Sequence, residues 1–288
     1  MDYFSYLSFR CFIFLFRFIP FRLLFGLSDL IYYGIFYVAG YRKKVVFKNL
    51  RNSFPEKSEV EIGRIAGKFY HHLCDMLIES LKAFTMKEEE VVRRYEFTNT
   101  AFVDELFRKG QQIICVAGHY GNWEWAGIAA GSQMLHKPVG FYKPLSNKYI
   151  DRYIQQTRVQ GRSRLASIAK TSETFKTDWG EPAAFYMVAD QSPSSARLAF
   201  WVNFLNQDTA TIHGPEKYAR VFNIAVVFVS VKKVKRGYYT VEFKMLEPEP
   251  VKTKTGEITS RFMKVLEDVI KENPEYYLWS HRRWKLKR

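Results

Sequence analysis

The chain has 288 residues, of which 47% are hydrophobic and 17% aromatic, and its formal net charge is +15 at pH 7. A chain of this length can bury a sizeable core in one large domain. The positive charge predicts an anionic partner, which is nucleic acid, a membrane surface, or an acidic substrate or carrier. Three cysteines, Cys11, Cys74 and Cys115, lie far apart in apolar contexts, which argues against a disulfide framework or a thiolate metal site.

Residues 1–41 are dominated by aromatic and aliphatic side chains, with Arg10, Arg17 and Arg22 interleaved. No small-residue cleavage site follows, so the segment is not a secretory signal. The stretch 23–41 carries only Asp29 as a charge and is long enough to span a bilayer, but the interleaved arginines favour an interfacial helix or a hairpin dipping into one leaflet. A helix packed on the core of the protein is the remaining interpretation. We predict a membrane-associated helical segment over residues 1–41.

A basic cluster follows this segment directly and favours the cytoplasmic side of an anionic membrane. Its members are Arg42, Lys43, Lys44, Lys48 and Arg51. Residues 42–288 are predicted to form the second part of the chain, a globular domain. From Pro55 a long helix is expected, capped by Ser58 and carrying apolar residues at helical spacing as far as Phe84. A short helix over 101–109 then ends at Gly110.

Strand and helix candidates alternate through the rest of the chain. The strands are predicted at 113–117, 139–142, 183–189, 224–231 and 239–245, and the helices at 123–134, 147–160, 172–179, 215–222 and 257–272. Lys235-Arg236-Gly237 predicts a hairpin between the last two strands. The pattern indicates an α/β fold, a single layered domain with a mainly parallel or mixed sheet flanked by helices, preceded by the hydrophobic N-terminal segment.

The segment His119-Tyr120-Gly121-Asn122-Trp123-Glu124 follows the first of these buried strand candidates. A strand, a turn at Gly121 and a helix opening at Gly121-Asn122 would place His119 at the edge of the sheet and Glu124 about one turn into the helix. Glu124 is expected to accept the Nδ1 proton of His119, which leaves Nε2 free to deprotonate an alcohol. Cys115 lies within the strand and is interpreted as a core residue, not as a nucleophile paired with His119.

Further motifs occur in order along the chain. They include Tyr41-Arg42-Lys43, Phe54-Pro55-Glu56, Tyr142-Lys143-Pro144, Ala189-Asp190-Gln191, Pro274-Glu275-Tyr276-Tyr277-Leu278-Trp279 and His281-Arg282-Arg283-Trp284. Together with the His119–Glu124 segment they resemble the lipid A biosynthesis acyltransferases, the lauroyl/myristoyl transferases of the H-x4-D/E glycerolipid acyltransferase superfamily. The resemblance implies transfer of a fatty acyl chain, usually from acyl carrier protein, onto a hydroxyl of a membrane glycolipid.

The resemblance also implies site residues beyond His119 and Glu124. Arg158 is the expected ligand of an acceptor phosphate or of the oxyanion, and Lys143 is a second phosphate candidate. Asp190 and Gln191 are expected in the site, although a strand-end cap and turn would explain them too. Asn122 completes the expected substrate-binding set.

Thr211 and Gly214 precede a helix start and could bind an anion, but a plain N-cap explains them equally well. The remaining histidines show no metal-ligand spacing, so no metal is predicted.

We expect no resident cofactor, with acyl carrier protein or coenzyme A delivering the acyl group as a co-substrate. The expected partners are acyl carrier protein, an anionic glycolipid acceptor and membrane lipids at the cytoplasmic face of a Gram-negative inner membrane. Nucleic acid is disfavoured because no recognised nucleic-acid module is present. Two alternatives stay open: the same chemistry on an aminolipid, a lysophospholipid or a glycosylated phosphoinositide, and a non-catalytic lipid-binding protein.

Overall fold

The computed structural model describes residues 2–158 and 162–288, with the side chains of Arg158 and Leu198 outside that description. The helices are α1 (Asp2–Arg17), α2 (Phe21–Tyr33), α3 (Lys43–Ser53), α4 (Glu59–Ala83), α5 (Glu88–Arg94), α6 (Ala101–Arg108), α7 (Ala126–Gln133), α8 (Lys148–Arg158), α9 (Thr171–Lys176), α10 (Gly214–Phe222) and α11 (Glu257–Glu272). The strands are β1 (Tyr95–Phe97), β2 (Ile113–Ala117), β3 (Lys137–Tyr142), β4 (Arg164–Ser167), β5 (Ala183–Val188), β6 (Phe200–Phe204), β7 (Gln207–Thr211), β8 (Ala225–Lys235) and β9 (Tyr238–Glu247). A π-helical turn, Gly34–Ala39, continues α2.

Within the described ranges, seven strands form one sheet in the order β1-β9-β8-β2-β5-β3-β4. The pairings are parallel except for the antiparallel hairpin β8–β9. Gly237, at φ 73°, closes that hairpin, because a left-handed residue fits the twist of the turn and glycine adopts it without strain. The mainly parallel, mixed sheet flanked by helices confirms the predicted fold class. The division at residue 41 stays a prediction.

The local differences from the prediction have physical causes. The hairpin β6–β7 was not predicted, because its turn at Leu205-Asn206 takes left-handed φ values of 51° and 61° at residues other than glycine. Thr211, at the end of β7, donates its hydroxyl to the Phe200 carbonyl oxygen over 2.7 Å. It is therefore not the N-cap of α10, which begins at Gly214 with His213 at the N-cap position and no side-chain cap.

Helix α4 is the central helix behind the sheet, and its start was predicted correctly. Ser58 and Glu61 form a capping box, in which the Ser58 hydroxyl accepts from the Glu61 amide and the Glu61 carboxylate accepts from the Ser58 amide. The inward face of α4 carries polar residues as well as apolar ones: His72, Asp75, Glu79 and Lys82 are all buried. Because they recur every three or four residues, they lie along one side of the helix.

Two of these residues attach α4 to the N-terminal helices. The Lys82 ammonium donates to the carbonyl oxygens of Phe16 and Arg17 at 3.2 and 2.8 Å, which satisfies groups at the end of α1 that have no helical partner. Asp75 accepts from Ser28 of α2 at 2.8 Å and binds Arg236 of the β8–β9 turn at 2.6 Å. Arg236 also binds Asp29 at 2.5 Å, so one guanidinium joins α2, α4 and the sheet.

Asp29, His71 and Asp75 place their ligand atoms within 4.8 Å of one another, a donor set that could hold a cation. The Arg236 guanidinium already supplies the positive charge between the two carboxylates. The cluster is therefore explained as an ion-paired anchor of α2.

The opposite face of the N-terminal helices is apolar and exposed. Its largest members are Phe4, Phe14 and Leu15 on α1, Phe18 directly after it, and Leu23, Leu27, Leu30 and Val38 on α2 and its continuation. Among the described residues, the helix Phe21–Ala39 is long and apolar enough to cross a membrane by length and composition. A contiguous apolar surface of this kind marks an interaction site.

Glu79 is the buried acid of α4, with its Oε2 accepting from Asn122 and from Tyr239, each at 2.8 Å. Burial raises its pKa to about 7 from the ordinary 4.5, although both hydrogen bonds oppose the shift. A carboxyl whose folded pKa is raised contributes its full stability below pH 4.5 and loses it as the pH rises through 7.

We predict that Glu79→Gln, which stays neutral at every pH, matches the wild type at acidic pH. Above neutrality it should exceed the wild-type free energy of unfolding by about 3 kcal/mol. Urea unfolding at about pH 4 and about pH 8 measures the difference. Exposed Glu89→Gln is the control and should show no pH-dependent change. An equal effect of Glu79→Gln at both pH values would contradict the assignment.

Candidate active site

His119 and Asp190 come together because β2 and β5 are adjacent parallel strands. Ala117 and Val188, the last residues of the two strands, are register partners, and the Ala189 amide donates to the Ala117 carbonyl oxygen at 3.1 Å. His119 and Asp190 each lie two residues beyond their strand, at the same carboxyl edge of the sheet. This edge is where parallel α/β sheets place their ligand-binding residues.

The backbone of the loop after β2 is held by the C-terminal part of the chain. The Leu278 amide donates to the His119 carbonyl oxygen at 3.1 Å, and the Gly121 amide donates to the Tyr276 carbonyl oxygen at 3.0 Å. Gly121 takes φ 62°, and a Cβ there would lie 2.9 Å from Val231 Cγ1. Only glycine fits this conformation and this close approach. The segment around Tyr276–Leu278 thus fixes where His119 stands.

The His119 ring has a defined partner at each nitrogen. Nδ1 lies 2.6 Å from Asp190 Oδ1, and Nε2 lies 3.0 Å from the Gln191 side-chain amide nitrogen. A proton on Nδ1, donated to Asp190, leaves Nε2 as the acceptor of the Gln191 amide. The Trp123 ring packs edge-on against the imidazole at 4.9 Å between centroids. The His119 imidazole is therefore held in one orientation, with Nδ1 toward Asp190 and Nε2 toward Gln191.

Charge around His119 sets its basicity. Burial by itself would lower the pKa of His119, but the charge and hydrogen bond of Asp190, with the charge of Glu124, raise that pKa above the ordinary 6.5. Burial would raise the pKa of Asp190, yet His119 and then Arg283 hold that pKa below its ordinary value. The two groups stabilise each other as an imidazolium and a carboxylate.

Arg283 and Tyr277 lie behind Asp190, out of reach of solvent. Arg283 is 2% exposed and donates to the Ala210 carbonyl oxygen at 2.5 Å. Burial lowers the pKa of Arg283, while the negative charge of Asp190 opposes this shift. Within the basic C-terminal residues 282–288, Arg283 is therefore a buried member beside the site.

Glu124 is placed differently from the prediction. It lies in a turn that precedes α7, which begins at Ala126, because the Asn122 side chain accepts from the Trp125 amide at 3.2 Å and turns the chain there. Nδ1 of His119 is bound by Asp190 and not by Glu124. Glu124 acts on His119 by its charge, which is one cause of the raised pKa.

A cavity of about 500 Å³ opens beside this site. Its walls are mainly apolar, with Leu73, Met76 and Leu77 of α4 facing Ile35 and Leu278. Its polar lining comes from Tyr41, Arg42, Ser80, Glu124, Ser280 and His281. A mainly apolar cleft with a few convergent polar groups is the usual form of a small-molecule site.

The other predicted residues fall in different places. Asn122 is fully buried and supports the loop from Glu79, so it is out of reach of a substrate in the cavity. Lys143 is exposed after β3, two strands from β2 at the same edge of the sheet. Arg158 ends α8, and its side chain lies outside the described part of the structure.

Sequence reasoning missed His281, which was interpreted as a core or surface residue. It lines the cavity, and its Nε2 lies 3.5 Å from the Ser192 amide, next to Gln191. Its place within the motif His281-Arg282-Arg283-Trp284 was the signal that could have identified it. Cys115, in contrast, is confirmed as a core residue, since burial raises the pKa of its thiol well above the ordinary value.

Comparison with known proteins gives matches over nearly the whole chain. The model of a family described as bacterial lipid A biosynthesis acyltransferase matches residues 3–286. The chain is 28% identical over 254 residues to the lipid A biosynthesis lauroyltransferase of Escherichia coli (strain K12), covering 85% of this chain and 79% of that protein. It is 24% identical over 246 residues to the lipid A biosynthesis palmitoleoyltransferase of the same strain, with the same coverage of 85% and 79%. A lipid A biosynthesis acyltransferase of Haemophilus influenzae is 21% identical over 270 residues, covering 93% of this chain and 83% of that protein.

We predict that Asp190→Asn lowers the pKa of His119 to below its ordinary value, because burial is then opposed only by the weaker charge of Glu124. Glu124→Gln should lower the same pKa less. NMR titration of ¹³C-labelled histidine, with the His119 signal assigned by His119→Gln, measures both shifts. Exposed Asp178→Asn is the control. A larger effect of Glu124→Gln than of Asp190→Asn would contradict the described geometry.

Proposed function

We infer the function of this chain from its site together with its family: the chain belongs to the bacterial lipid A biosynthesis acyltransferases and is an acyltransferase. The proposed reaction moves a fatty acyl group from an acyl thioester, on acyl carrier protein or coenzyme A, to a hydroxyl of a lipid A precursor. The proposed location is the cytoplasmic face of the inner membrane. The observation that carries the proposal is the His119–Asp190 pair at 2.6 Å beside the apolar cavity.

In the proposed mechanism, Nε2 of His119 takes the proton of the acceptor hydroxyl as its oxygen attacks the thioester carbonyl carbon. The hydroxyl replaces the Gln191 amide at this nitrogen. Asp190 accepts from Nδ1 and stabilises the imidazolium that forms, and Glu124 adds negative charge nearby. The tetrahedral oxyanion then collapses, the C–S bond breaks, and the imidazolium returns its proton to the leaving thiolate. The ester and a free thiol are the products, so the reaction needs no covalent enzyme intermediate and no resident cofactor.

Positive charge near the site suits a phosphorylated acceptor and the developing oxyanion. Arg158 at the end of α8 and Lys143 after β3 remain the candidates proposed from the sequence. Arg42, on the cavity wall, is a further candidate whose Nη1 donates to the Ser280 carbonyl oxygen at 3.0 Å. Guanidinium groups bind phosphate in a bidentate way, which favours the two arginines over Lys143.

The cavity is proposed to hold an acyl chain. Leu73, Met76 and Leu77 present aliphatic surface along α4. Glu124 lines the cavity and acts on His119 by its charge, so the cavity lies close to His119. A chain buried among such residues gains about 0.8 kcal/mol for each methylene removed from water. Ile35, on the helical continuation of α2, also lines the cavity, so its wall is shared with the apolar N-terminal helices. A lipid could therefore reach His119 from the membrane side.

The N-terminal helices are proposed to lie in the membrane interface. One side of α2 is fixed to the protein through Ser28 and Asp29. Its other side exposes Leu23, Leu27 and Leu30 at helical spacing. A helix fixed along one face and apolar along the other is suited to lie on a bilayer, and it supports the interfacial interpretation over a spanning helix.

Two alternative functions can be distinguished from this one by experiment. The same base would serve another lipid hydroxyl or an amine, because the pair of His119 and Asp190 selects the reaction and not the acceptor. A non-catalytic lipid-binding protein would use the cavity without the base. The paired and oriented imidazole favours catalysis over binding alone.

We predict that the detergent-solubilised protein acylates a tetra-acylated lipid A precursor bearing an acidic sugar, with acyl carrier protein charged with a series of chain lengths as donor. His119→Ala should lose about 10²- to 10⁴-fold in kcat, because the general base is gone. Mass spectrometry of the lipid products measures the transfer. His213→Gln, at a histidine bound to Thr259 next to α10, is the matched control and should keep full activity.

Lysophospholipids and aminolipids are tested as acceptors in the same assay. Product from these lipids alone would keep the mechanism and reject the lipid A precursor as acceptor. Full activity of His119→Ala would reject His119 as the base. Specific binding of the precursor without turnover of any acceptor would favour the lipid-binding alternative.

A further inference from the structure

Helix α8 carries exposed residues before Arg158 that no part of the proposed reaction explains. Lys148, Tyr149, Arg152 and Gln156 are exposed, and none of the described side chains of α8 is fully buried. Tyr149 is 49% exposed, and Leu145, just before the helix, is 46% exposed. A helix with basic residues beside exposed aromatic and aliphatic ones is typical of elements that lie at a membrane interface.

The partner of α8 is the N-terminal helix α1. The Tyr149 ring packs against Tyr3 at 5.4 Å and Tyr6 at 5.9 Å between centroids, and the Tyr153 ring lies 6.0 Å from Phe9. The Arg10 guanidinium lies 5.0 Å from the Tyr153 ring centroid. These contacts form a cluster of tyrosines at the surface between the two helices.

A hydrogen bond from a side chain to the backbone joins the two helices as well. The Asn147 side-chain amide, at the start of α8, donates to the Asp2 carbonyl oxygen at the start of α1 over 2.9 Å. From α4, Phe84 stacks on Tyr153 at 6.0 Å and packs edge-on against Phe9 at 5.7 Å. α1 and α8 are therefore fixed relative to each other at both ends of their contact.

The tyrosine cluster continues the apolar face of α1. Tyr3 is 53% exposed and adjoins Phe4, which is 77% exposed, while Phe14 shares the same side of the helix. The apolar surface thus runs from α1 through Tyr3 to Tyr149, and the cations Lys148 and Arg152 follow at its edge. Tyrosines at a boundary between apolar surface and positive charge match the headgroup level of a bilayer.

We propose that α1 and α8 form one membrane-binding unit, in which α8 lies on the anionic headgroups, with Lys148 and Arg152 against lipid phosphates and Tyr3 and Tyr149 at the boundary with the hydrocarbon. The inference rests on the proposed membrane location of α1 and extends it to the α/β domain. It places α8, which ends at Arg158, at the depth where an acceptor lipid carries its phosphate groups. Lipid is the favoured occupant because an apolar surface adjoins the charge.

Site-specific fluorescence tests the proposal. Cys11, the exposed cysteine, is changed to serine, and Cys74 and Cys115 are buried. An environment-sensitive NBD label is then attached at Leu145→Cys before α8, at Phe14→Cys on α1, or at Val221→Cys on α10, where the native residue is 66% exposed. With vesicles of phosphatidylglycerol and phosphatidylethanolamine, emission should rise and shift to the blue at residues 145 and 14 and stay unchanged at residue 221.

Charge reversal tests the headgroup contacts. Lys148→Glu with Arg152→Glu should lower vesicle affinity by about tenfold or more, since each cation near an anionic surface contributes about 1 kcal/mol. Activity on detergent-dispersed substrate should be retained, while activity on vesicle-borne substrate falls with the affinity. Lys176→Glu with Lys217→Glu, on α9 and α10, makes the same charge change and should preserve both.

The outcomes separate the proposal from the function it rests on. A response at residue 14 but not at residue 145 would overturn the role of α8 and leave α1 as a membrane helix. Unchanged emission at both residue 14 and residue 145 would reject the membrane location of α1 as well. The acyl-transfer assay in detergent would still decide the reaction. A label at residue 145 that responds to acyl carrier protein and not to vesicles would assign this surface to the acidic carrier. Equal losses in the two charge-reversal pairs would reject the phosphate contacts of α8.

Discussion

The parallel pairing of β2 with β5 is the constraint on which the site depends. The register that aligns Ala117 with Val188 brings His119 and Asp190 to the same edge two residues later. A shift of that register by one residue would exchange the β2 side chains that pack in the core clusters on the two faces of the sheet. The core therefore brings His119 and Asp190 together, and the Tyr276–Leu278 segment holds the backbone of His119 in place.

Helix α4 supports this edge of the sheet through buried polar residues, whose burial costs free energy unless each has a partner. Glu79 holds Asn122 in the loop after β2, Asp75 holds Arg236, and Lys82 holds the end of α1. Each buried polar group loses hydration, and only its partner offsets that loss. The N-terminal helices and the loop after β2 are thus attached to the same side of one helix.

The sequence was sufficient for the layered fold and for the position of His119 at the edge of the sheet, because a buried strand and a glycine turn are local signals. It was insufficient for the partner of Nδ1. Glu124 was chosen because it is close in sequence, whereas Asp190 is selected by strand order, a long-range property that no window of residues reports. The burial of Arg283 beside Asp190 depends on the same long-range packing, since nothing in the basic residues 282–288 distinguishes Arg283 from its neighbours.

The protonation of His119 is a balance between opposing groups, and in the proposed mechanism this balance suits a base that acts only on a bound substrate. Asp190 and Glu124 favour the imidazolium, while burial and the Gln191 amide at Nε2 favour the neutral ring. In the proposed mechanism, an acceptor hydroxyl displaces the Gln191 amide, whose hydrogen bond to Nε2 requires a neutral His119 ring. The hydroxyl also brings the proton that His119 accepts. The same carboxylates that raise the pKa then stabilise the charge formed in the reaction. His119 is therefore a stronger base toward a hydroxyl in the cavity than its burial alone would allow.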